Sequence, residues 1–515
     1  MKLLKNMVIK AKLAALVLVL AAQHIPLRAE EDIGLTDLKT LEVTSEVYED
    51  IKLNSKHPKE RISYMSLDEC IESAMTQNPI IRQSMLEIDA QKQEFYAAKT
   101  LWMPTLEFEG DPFLSQAYEK TSQQLIVTQP KSALSGESVN LSNSSLNEYN
   151  LFSLEQDISL DLYVEWNIID ATRAPSIKSE WELIKQKENL LKLSSRKLIA
   201  EITIAYINAQ AEQETIKELK PLIAAVRESE KGVKEQVDIG YSDISKLLQS
   251  QTQLLNIVNS KVKAEGELDK YASQIASLIG IGGSKLVYPK EVLNEPKEYS
   301  LNLVESIELS KENNELAKAY IDEAESMEWA AVSDQNKYIP KIYLYLNWYY
   351  GSSWGINDAP IKNPSIAENS YDSYEKGYYA GIGFNWKFDG GASFFNGKNK
   401  RLLGESLKEN AKSAEISFIG LTKSNYYQYQ TGLNTIDIAK KAMTTSWRNL
   451  AALKLRSQYG LEDITTLVQA YDLHYESLAQ WINAMRLTNI ALTNLYRYTS
   501  QLPDGARLDR LLGEN

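Results

Sequence analysis

Residues 459–470 read YGLEDITTLVQA, and residues 239–250, more than two hundred positions earlier, read IGYSDISKLLQS. The stretches share a Gly, an Asp, an Ile, a Leu and a Gln at matched positions, with Ser245 answered by Thr465. In each, a glycine precedes an aspartate by three residues. That is the order in which one helix ends and another begins. Gly240 and Gly460 supply the backbone freedom that terminates a helix. Asp243 and Asp463 are placed to cap the next one, a carboxylate meeting free N–H groups at the positive end of the helix dipole.

Helical patterns flank both turns. One runs from about Ser176 to Asp238, roughly 63 residues interrupted only by Pro221, and another from Ala392 to Gln458, about 67 residues. At 1.5 Å per residue each is roughly 95–100 Å long, too long for a globular core. Such rods must pack side by side as coiled coils. Small residues within them, among them Ala200, Ala205, Ala209 and Ala211, then Ala439, Ala442, Ala451 and Ala452, suit close helix packing, although a plain solvated coiled coil also accommodates them. Beyond the turns, helices return at 243–279 and 462–500. A further helix at 66–102 opens with a Ser66/Glu69 capping box and ends before Pro104. Its features recur 236 residues later: Asn302 and Glu305 for the capping pair, Asn314 for Asn78, Pro340 for Pro104. The chain is an internal duplication, read as a first repeat at 63–282, a connector at 283–300 and a second repeat at 301–500, with a tail at 501–515. In each repeat the chain runs one way in a single long helix and returns in two shorter ones.

After each proline the hydrophobic period changes from helix to strand. In the segment ending at residue 166, Ile158, Leu160, Leu162, Val164 and Trp166 alternate with Ser159, Asp161, Tyr163 and Glu165. In the second half Ala380, Ile382, Phe384, Trp386 and Phe388 alternate with Gly381, Gly383, Asn385, Lys387 and Asp389. One apolar and one polar face fit a membrane-barrel strand, with Trp166 and Trp386 at the lipid interface. A half-buried strand of a soluble sandwich has the same period. Two strands are expected per repeat, near 105–113 and 154–168, then near 341–350 and 378–389, joined by long polar loops at 114–150 and 351–377. Four strands cannot close a barrel, so the chain would have to oligomerise.

Residues 1–29 have the layout of a secretory signal peptide: Lys2, Lys5, Lys10 and Lys12, then the apolar run LAALVLVLAA, then small residues to Ala29. The run is too short to span a bilayer. Residues 30–62 are polar and aperiodic and are read as a loosely ordered arm. Removal of residues 1–29 takes the net charge from −13 to −18, which disfavours nucleic acid as a partner. Cys70 is the only cysteine, so there is no disulfide framework and no cysteine for N-terminal lipid attachment.

Nothing in the sequence points to an enzyme, a cofactor or a metal. Three histidines and one cysteine offer no ligand spacing. His474 falls on a helix face without a second ligand nearby. Gly381-Ile-Gly383 lies within a strand and is no nucleotide loop.

Several features together resemble one family: the signal peptide, SLDECIESA followed by Asn78-Pro79, Trp102-Met103-Pro104 leading into a strand, EWNIID at 165–170 leading into a long helix, the Gly-x-x-Asp-Ile-Ser turn, and the duplication of this order. They resemble the TolC family of outer-membrane efflux and secretion channels of Gram-negative bacteria, over nearly all of 63–500. The resemblance implies a mainly α protein with a membrane β-barrel. In it, long coiled-coil helices form a periplasmic α-barrel, and four strands per protomer contribute to a trimeric, twelve-stranded barrel in the outer-membrane lipid. It also implies a periplasmic adaptor protein as partner and, through it, an inner-membrane transporter, the trimer serving as exit duct for small molecules or polypeptides. Adaptors of the family dock at an R-x-x-x-G-L turn, which Arg456, Gly460 and Leu461 match. The first turn departs, with Gln236 and Tyr241 at the corresponding positions. Some members carry a constricting acidic ring six and nine positions after the turn glycine. Lys246, Gln249, Thr466 and Gln469 stand there, so a neutral constriction by Gln249 and Gln469 is expected instead. The competing reading is a structural or adhesive coiled-coil surface protein.

Overall fold

The computed structural model describes residues 62–128, 144–358, 369–459 and 461–501. The expected signal peptide, nearly all of the arm and the tail beyond residue 501 lie outside the described residues. The described residues open with a short strand, β1 (Ile62–Met65), then helices α1 (Leu67–Gln77) and α2 (Pro79–Thr100). Strands β2 (Thr105–Glu109), β3 (Ser115–Thr128) and β4 (Ser144–Ile169) follow, and then α3 (Arg173–Asp238) and α4 (Ile244–Leu278). After β5 (Leu286–Pro289) the order returns as α5 (Leu303–Glu312), α6 (Glu315–Asn336), β6 (Lys341–Asp358), β7 (Asn369–Asn385), α7 (Ala392–Gln458) and α8 (Ile464–Tyr498).

The two expected capping boxes are present, Ser66 with Glu69 and Asn302 with Glu305. The helix expected over 66–102 is two helices. Asn78 breaks it: its Oδ1 accepts from Ile80 N at 2.7 Å, its Nδ2 donates to Leu278 O at 2.7 Å, and Pro79 has no N–H with which to continue the ladder. Asn314 does the same between α5 and α6, accepting from Ala317 N at 3.0 Å. The connector also holds unexpected structure, since β5 pairs in parallel with β1, Ile62 facing Leu286. The long helices α3 and α7 have 66 and 67 residues, and α3 runs through Pro221 without a break.

The strands are longer than the alternation suggested. The order β2-β4-β6-β7 is antiparallel throughout, and β3 also pairs with β4, so β2 and β3 are one strand line interrupted at 110–114. Pro112 lies in the interruption, and the ladder bridges it through Ser159 N donating to Pro112 O at 2.9 Å. The segments expected as loops at 114–150 and 351–377 are in large part β3, β4, β6 and β7. Backbone pairing continues there while the apolar alternation fades, so the pattern gave no signal. At its other end β7 stops at Asn385, and Trp386, Phe388 and Asp389 lie beyond it.

Register puts Trp166, Leu344 and Ile382 in one row and Leu162, Trp348 and Tyr378 in another, together with Phe108 of β2. This face is apolar and exposed, Ile382 and Phe384 at 73% and 77%. The apolar run from Ile158 to Trp166 spans about 26 Å along the strand, near the height of a bilayer's apolar band. The opposite face carries Glu107, Asp161, Tyr163, Glu165, Tyr345 and Asn347. Among the described residues, β7 and the β2–β3 line are edges without a partner strand in the protomer. Among the described residues no helix is long and apolar enough to cross a membrane.

The helices pack through small and apolar side chains. Cys70, Ile71 and Met75 of α1 meet Leu198, Ile202 and Tyr206 of α3, Ile275 of α4 and Val287 of β5 in one core. Further along, Ile436 and Ala439 of α7 pack on Leu478, Ile482 and Met485 of α8 and Ile207 of α3. Between α3 and α6 the seam includes hydroxyl pairs, Ser179 with Ser326 at 2.9 Å and Ser176 with Ser333 at 2.8 Å.

Candidate functional site: the paired hairpin turns

Both turns stand at the same end of the helical region. At the first, Gly240 adopts φ +75°, and Tyr241 N and Ser242 N both donate to Gln236 O, at 2.8 and 3.2 Å. That is how an α-helix closes its last carbonyls around a left-handed residue. Asp243 then caps α4, its Oδ1 accepting from Ser245 N at 2.7 Å. This contact holds the carboxyl below its ordinary pKa. At the second turn Leu461 N donates to Arg456 O at 3.0 Å, the counterpart of the Tyr241–Gln236 bond. Gly460 lies outside the described residues. Arg456 is largely exposed and pairs with Glu462 at 3.2 Å.

The two aspartates differ. Asp463 stands at the N-cap of α8 without a well-formed cap hydrogen bond, the N–H groups of Ile464 and Thr465 adding only a lesser part to the lowering of its pKa. Its Oδ1 instead accepts from Lys246 Nζ of the first hairpin at 2.7 Å. The duplication predicts a cap here. The sequence explains the exception, because the first turn carries Lys246 where the second carries Thr466, and an ammonium is a stronger partner for a carboxylate than a neutral amide. Lys246 is also the leading cause of the lowered Asp463 pKa.

Further ties join the hairpins. Thr465 Oγ1 donates to Gln249 Oε1 at 3.3 Å, Gln253 Nε2 to Asp472 Oδ1 at 2.5 Å, Lys454 Nζ to Glu228 Oε2 at 2.7 Å, and Tyr471 OH to Ala225 O at 3.2 Å. Of the four residues expected at a constriction, Lys246 and Gln249 are engaged by the second hairpin. Thr466 is half-buried and Gln469 is exposed. Sequence reasoning missed Glu228, Gln253, Lys454, Tyr471 and Asp472. Their pairing arises from laying two rods side by side, and no local pattern encodes it. Only the charge at Lys246, which breaks the repeat, was a usable signal.

A cleft of about 560 Å³ opens between the hairpins, lined by Glu228, Gly232, Gln236, Tyr241, Lys454 and Leu461. Ile239, Tyr241, Tyr459 and Leu461 around it are between 69% and 78% exposed. This leaves an apolar end that the protomer does not cover. At the opposite end of the helices, Trp166 Nε1 donates to Trp102 O at 2.9 Å and Trp386 Nε1 to Tyr338 O at 3.0 Å. Trp166 of β4, and Trp386 one residue past β7, each tie the end of the sheet to the end of the preceding helix. Among the described residues no group of three or more His, Cys, Asp or Glu side chains could hold a metal ion.

No protein-family model matches the sequence, and no curated protein matches it either. Solved structures do match. CusC, whose crystal structures concern folding and transmembrane channel formation, aligns with a TM-score of 0.63 at 15% identity, over 84% of this chain and 92% of that one. The outer-membrane channel OprN aligns at 0.62 and 14%, over 85% and 90%. The CmeC outer membrane channel of Campylobacter jejuni aligns at 0.62 and 13%, over 87% and 88%. At these identities the likeness is one of architecture, and it agrees with the family resemblance drawn from the motifs: this chain has the fold of the outer-membrane channel proteins.

Proposed function

We propose that the protein is a trimeric channel of the outer membrane, the exit duct for cargo delivered from the periplasmic side. The observation that carries this reading is the four-line antiparallel sheet. It has one apolar and one polar face and two unpaired edges, and it continues into helical hairpins about 100 Å long. Unpaired edges and an exposed apolar face are liabilities in a lone protomer. Three copies joined edge to edge, β7 to the neighbouring β2–β3 line, close a twelve-stranded barrel that turns the apolar face to lipid and the polar face to a lumen. Trp166 and Trp386 then mark the periplasmic rim of the apolar band.

In this arrangement the hairpin turns form a ring of six tips. The exposed Tyr241 and Leu461, with Arg456, Gly240, Asp243 and Asp463 shaping the turns, supply the docking surface for a periplasmic adaptor, which connects the duct to an inner-membrane transporter. Lys246, Gln249, Thr466 and Gln469 lie just inside the tips, at the level of the constriction. Conduction needs no covalent chemistry from the protein, and its energy comes from the transporter.

The test uses detergent-purified protein in planar bilayers together with unheated gels. Discrete single-channel steps from a species migrating as a trimer support the duct. A well-folded protein that is monomeric and leaves the bilayer silent, with and without adaptor, overturns it.

A further inference from the structure

One imidazole is buried inside the helical region close to the tips. His474 of α8 is 7% exposed, and its ring centroid lies 5.2 Å from that of Trp447 on α7. Its Nδ1 is 3.1 Å from Ser446 Oγ. That hydroxyl lies 2.9 Å from Met443 O, an acceptor for its single hydrogen. When the hydroxyl donates there, Nδ1 must carry a proton and donate to Oγ, which leaves Nε2 as the unprotonated nitrogen. The next proton would go to Nε2 and place a full charge in an apolar seam, which is unfavourable without a partner.

The position is also a junction. Within one turn of His474, Tyr471 reaches Ala225 O of α3 and Asp472 takes Gln253 of α4. The stretch 471–474 therefore ties α8 to the three helices around it. Charged groups on those helices are turned elsewhere. Lys454 of α7 is paired with Glu228 of α3, Glu230 of α3 binds Gln251 of α4, and Arg448 of α7, Arg227 of α3, and Asp472 and Glu476 of α8 are exposed. Among the described residues no carboxylate is positioned to neutralise an imidazolium.

We infer that His474 is an acid-operated release in the α7–α8 seam, whose protonation loosens the second hairpin from its packed position and favours opening at the tips. The geometry sets the sign. Burial alone lowers the imidazole pKa from its ordinary 6.5, so the packed seam resists a proton that a parted seam accepts. Seam stability is therefore complete above about pH 6.5 and falls as the pH drops through that value. It levels off below the depressed pKa of the packed state. The consequence for opening rests on the channel reading; the loosening itself does not.

The experiment compares wild type with His474→Gln, whose neutral amide takes no proton. Full-length protein in detergent is examined between about pH 8 and pH 5, a window that brackets histidine titration. Hydrogen exchange over residues 443–478 is compared between the two proteins at each pH, and single-channel open probability is recorded under the same conditions. The expected result is several-fold faster exchange and several-fold higher open probability for wild type at the acid end, both absent in His474→Gln. Equal exchange in the two proteins across the range overturns the inference. Divergent exchange with identical open-probability curves overturns its coupling to opening. Divergent exchange in a protein that never conducts upholds the release and fails the channel reading instead.

Discussion

Lys246 Nζ and Asp463 Oδ1 stand 2.7 Å apart, binding the first turn of α4 to the start of α8. Asp463 and Asp243 occupy matched positions of a duplicated motif, yet Asp243 caps its own helix while Asp463 holds the other hairpin. One substituted position, Lys246 against Thr466, converts a helix cap into a tie between two rods.

Asp463→Asn should therefore favour parting of the hairpins while leaving α8 intact. The pair is 40% and 50% exposed, so solvent screening limits its worth to at most about 1 kcal/mol. On the channel reading, open probability in planar bilayers should rise by a few-fold, and added salt should move wild type the same way. Lys246→Gln should match Asp463→Asn, and the double variant should show no further change. Because the Asp463 pKa is lowered, the tie is present above the ordinary carboxylate value near 3.9 and is lost only as the pH falls through the lower, folded value. It should contribute nothing to pH dependence between about pH 7 and pH 5. A titration of open probability that disappears in Asp463→Asn would contradict this assignment.

Asn78 and Asn314 break their helices at matched positions but are not equally bonded. Asn78, 4% exposed, makes a cap bond and a second bond to Leu278 O of α4. Asn314, fully buried, makes its cap bond while its Nδ2 lacks an acceptor. Asn78→Ala should destabilise by about 2–3 kcal/mol and Asn314→Ala by about 1 kcal/mol. Denaturant unfolding of the two variants in detergent checks the order, and equal losses would show that the tie to α4 carries nothing.

The helical half of this fold was legible because its signals are local. Gly240 and Asp243, the Ser66–Glu69 box and the long apolar periodicities each depend on a few neighbouring residues, and helix boundaries followed within three residues at α3, α4, α7 and α8. The strands were legible where one face is apolar, near 105–113 and 341–350, from Ile158 to Trp166 and from Ala380 to Phe384. Their extensions, β3 and the first half of β4, follow backbone pairing and left no alternation to read. Asn78 and Asn314 were recognised as a repeated pair, but their role as breaks depends on where Leu278 O and the next helix stand in space. At the site, the turns could be read from sequence. The contacts between them could not, since Gln253 with Asp472 and Glu228 with Lys454 join residues more than two hundred positions apart.

Close approach of α7 and α8 depends on Gly432. A Cβ built there would lie 2.2 Å from Thr488 Oγ1 and 2.9 Å from Thr488 Cγ2. Thr488 is 1% exposed and donates to Ala484 O at 2.7 Å, so it has little room to move. Gly432→Ala should destabilise by about 1–3 kcal/mol through overpacking. Thr488→Ala in the same chain removes both clashing atoms and should restore part of the loss. Thermal unfolding of the single and double variants checks this, and additive losses would show that the two residues do not share the site.

Trp166 and Trp386 each carry an apolar ring and one donor, and the donors meet equivalent carbonyls: Trp102 O just past α2 and Tyr338 O just past α6. The rings are 42% and 59% exposed on the sheet's apolar side of the junction. If they served only as lipid-facing anchors, phenylalanine would replace them at little loss. The bonds predict otherwise. Trp166→Phe and Trp386→Phe each remove a strut between strand and helix while keeping an aromatic ring, a loss of about 1 kcal/mol apiece. The sites lie in different repeats and share no partner, so the losses should add. On the trimer reading, the expected outcome is a stepwise fall in the temperature at which the oligomer dissociates on unheated-to-boiled gel series, with the double variant lowest. Leucine at the same positions should lower it further by removing the aromatic ring as well. If both phenylalanine variants dissociate at the wild-type temperature, the indole donors contribute nothing measurable, and the two residues act through their rings alone.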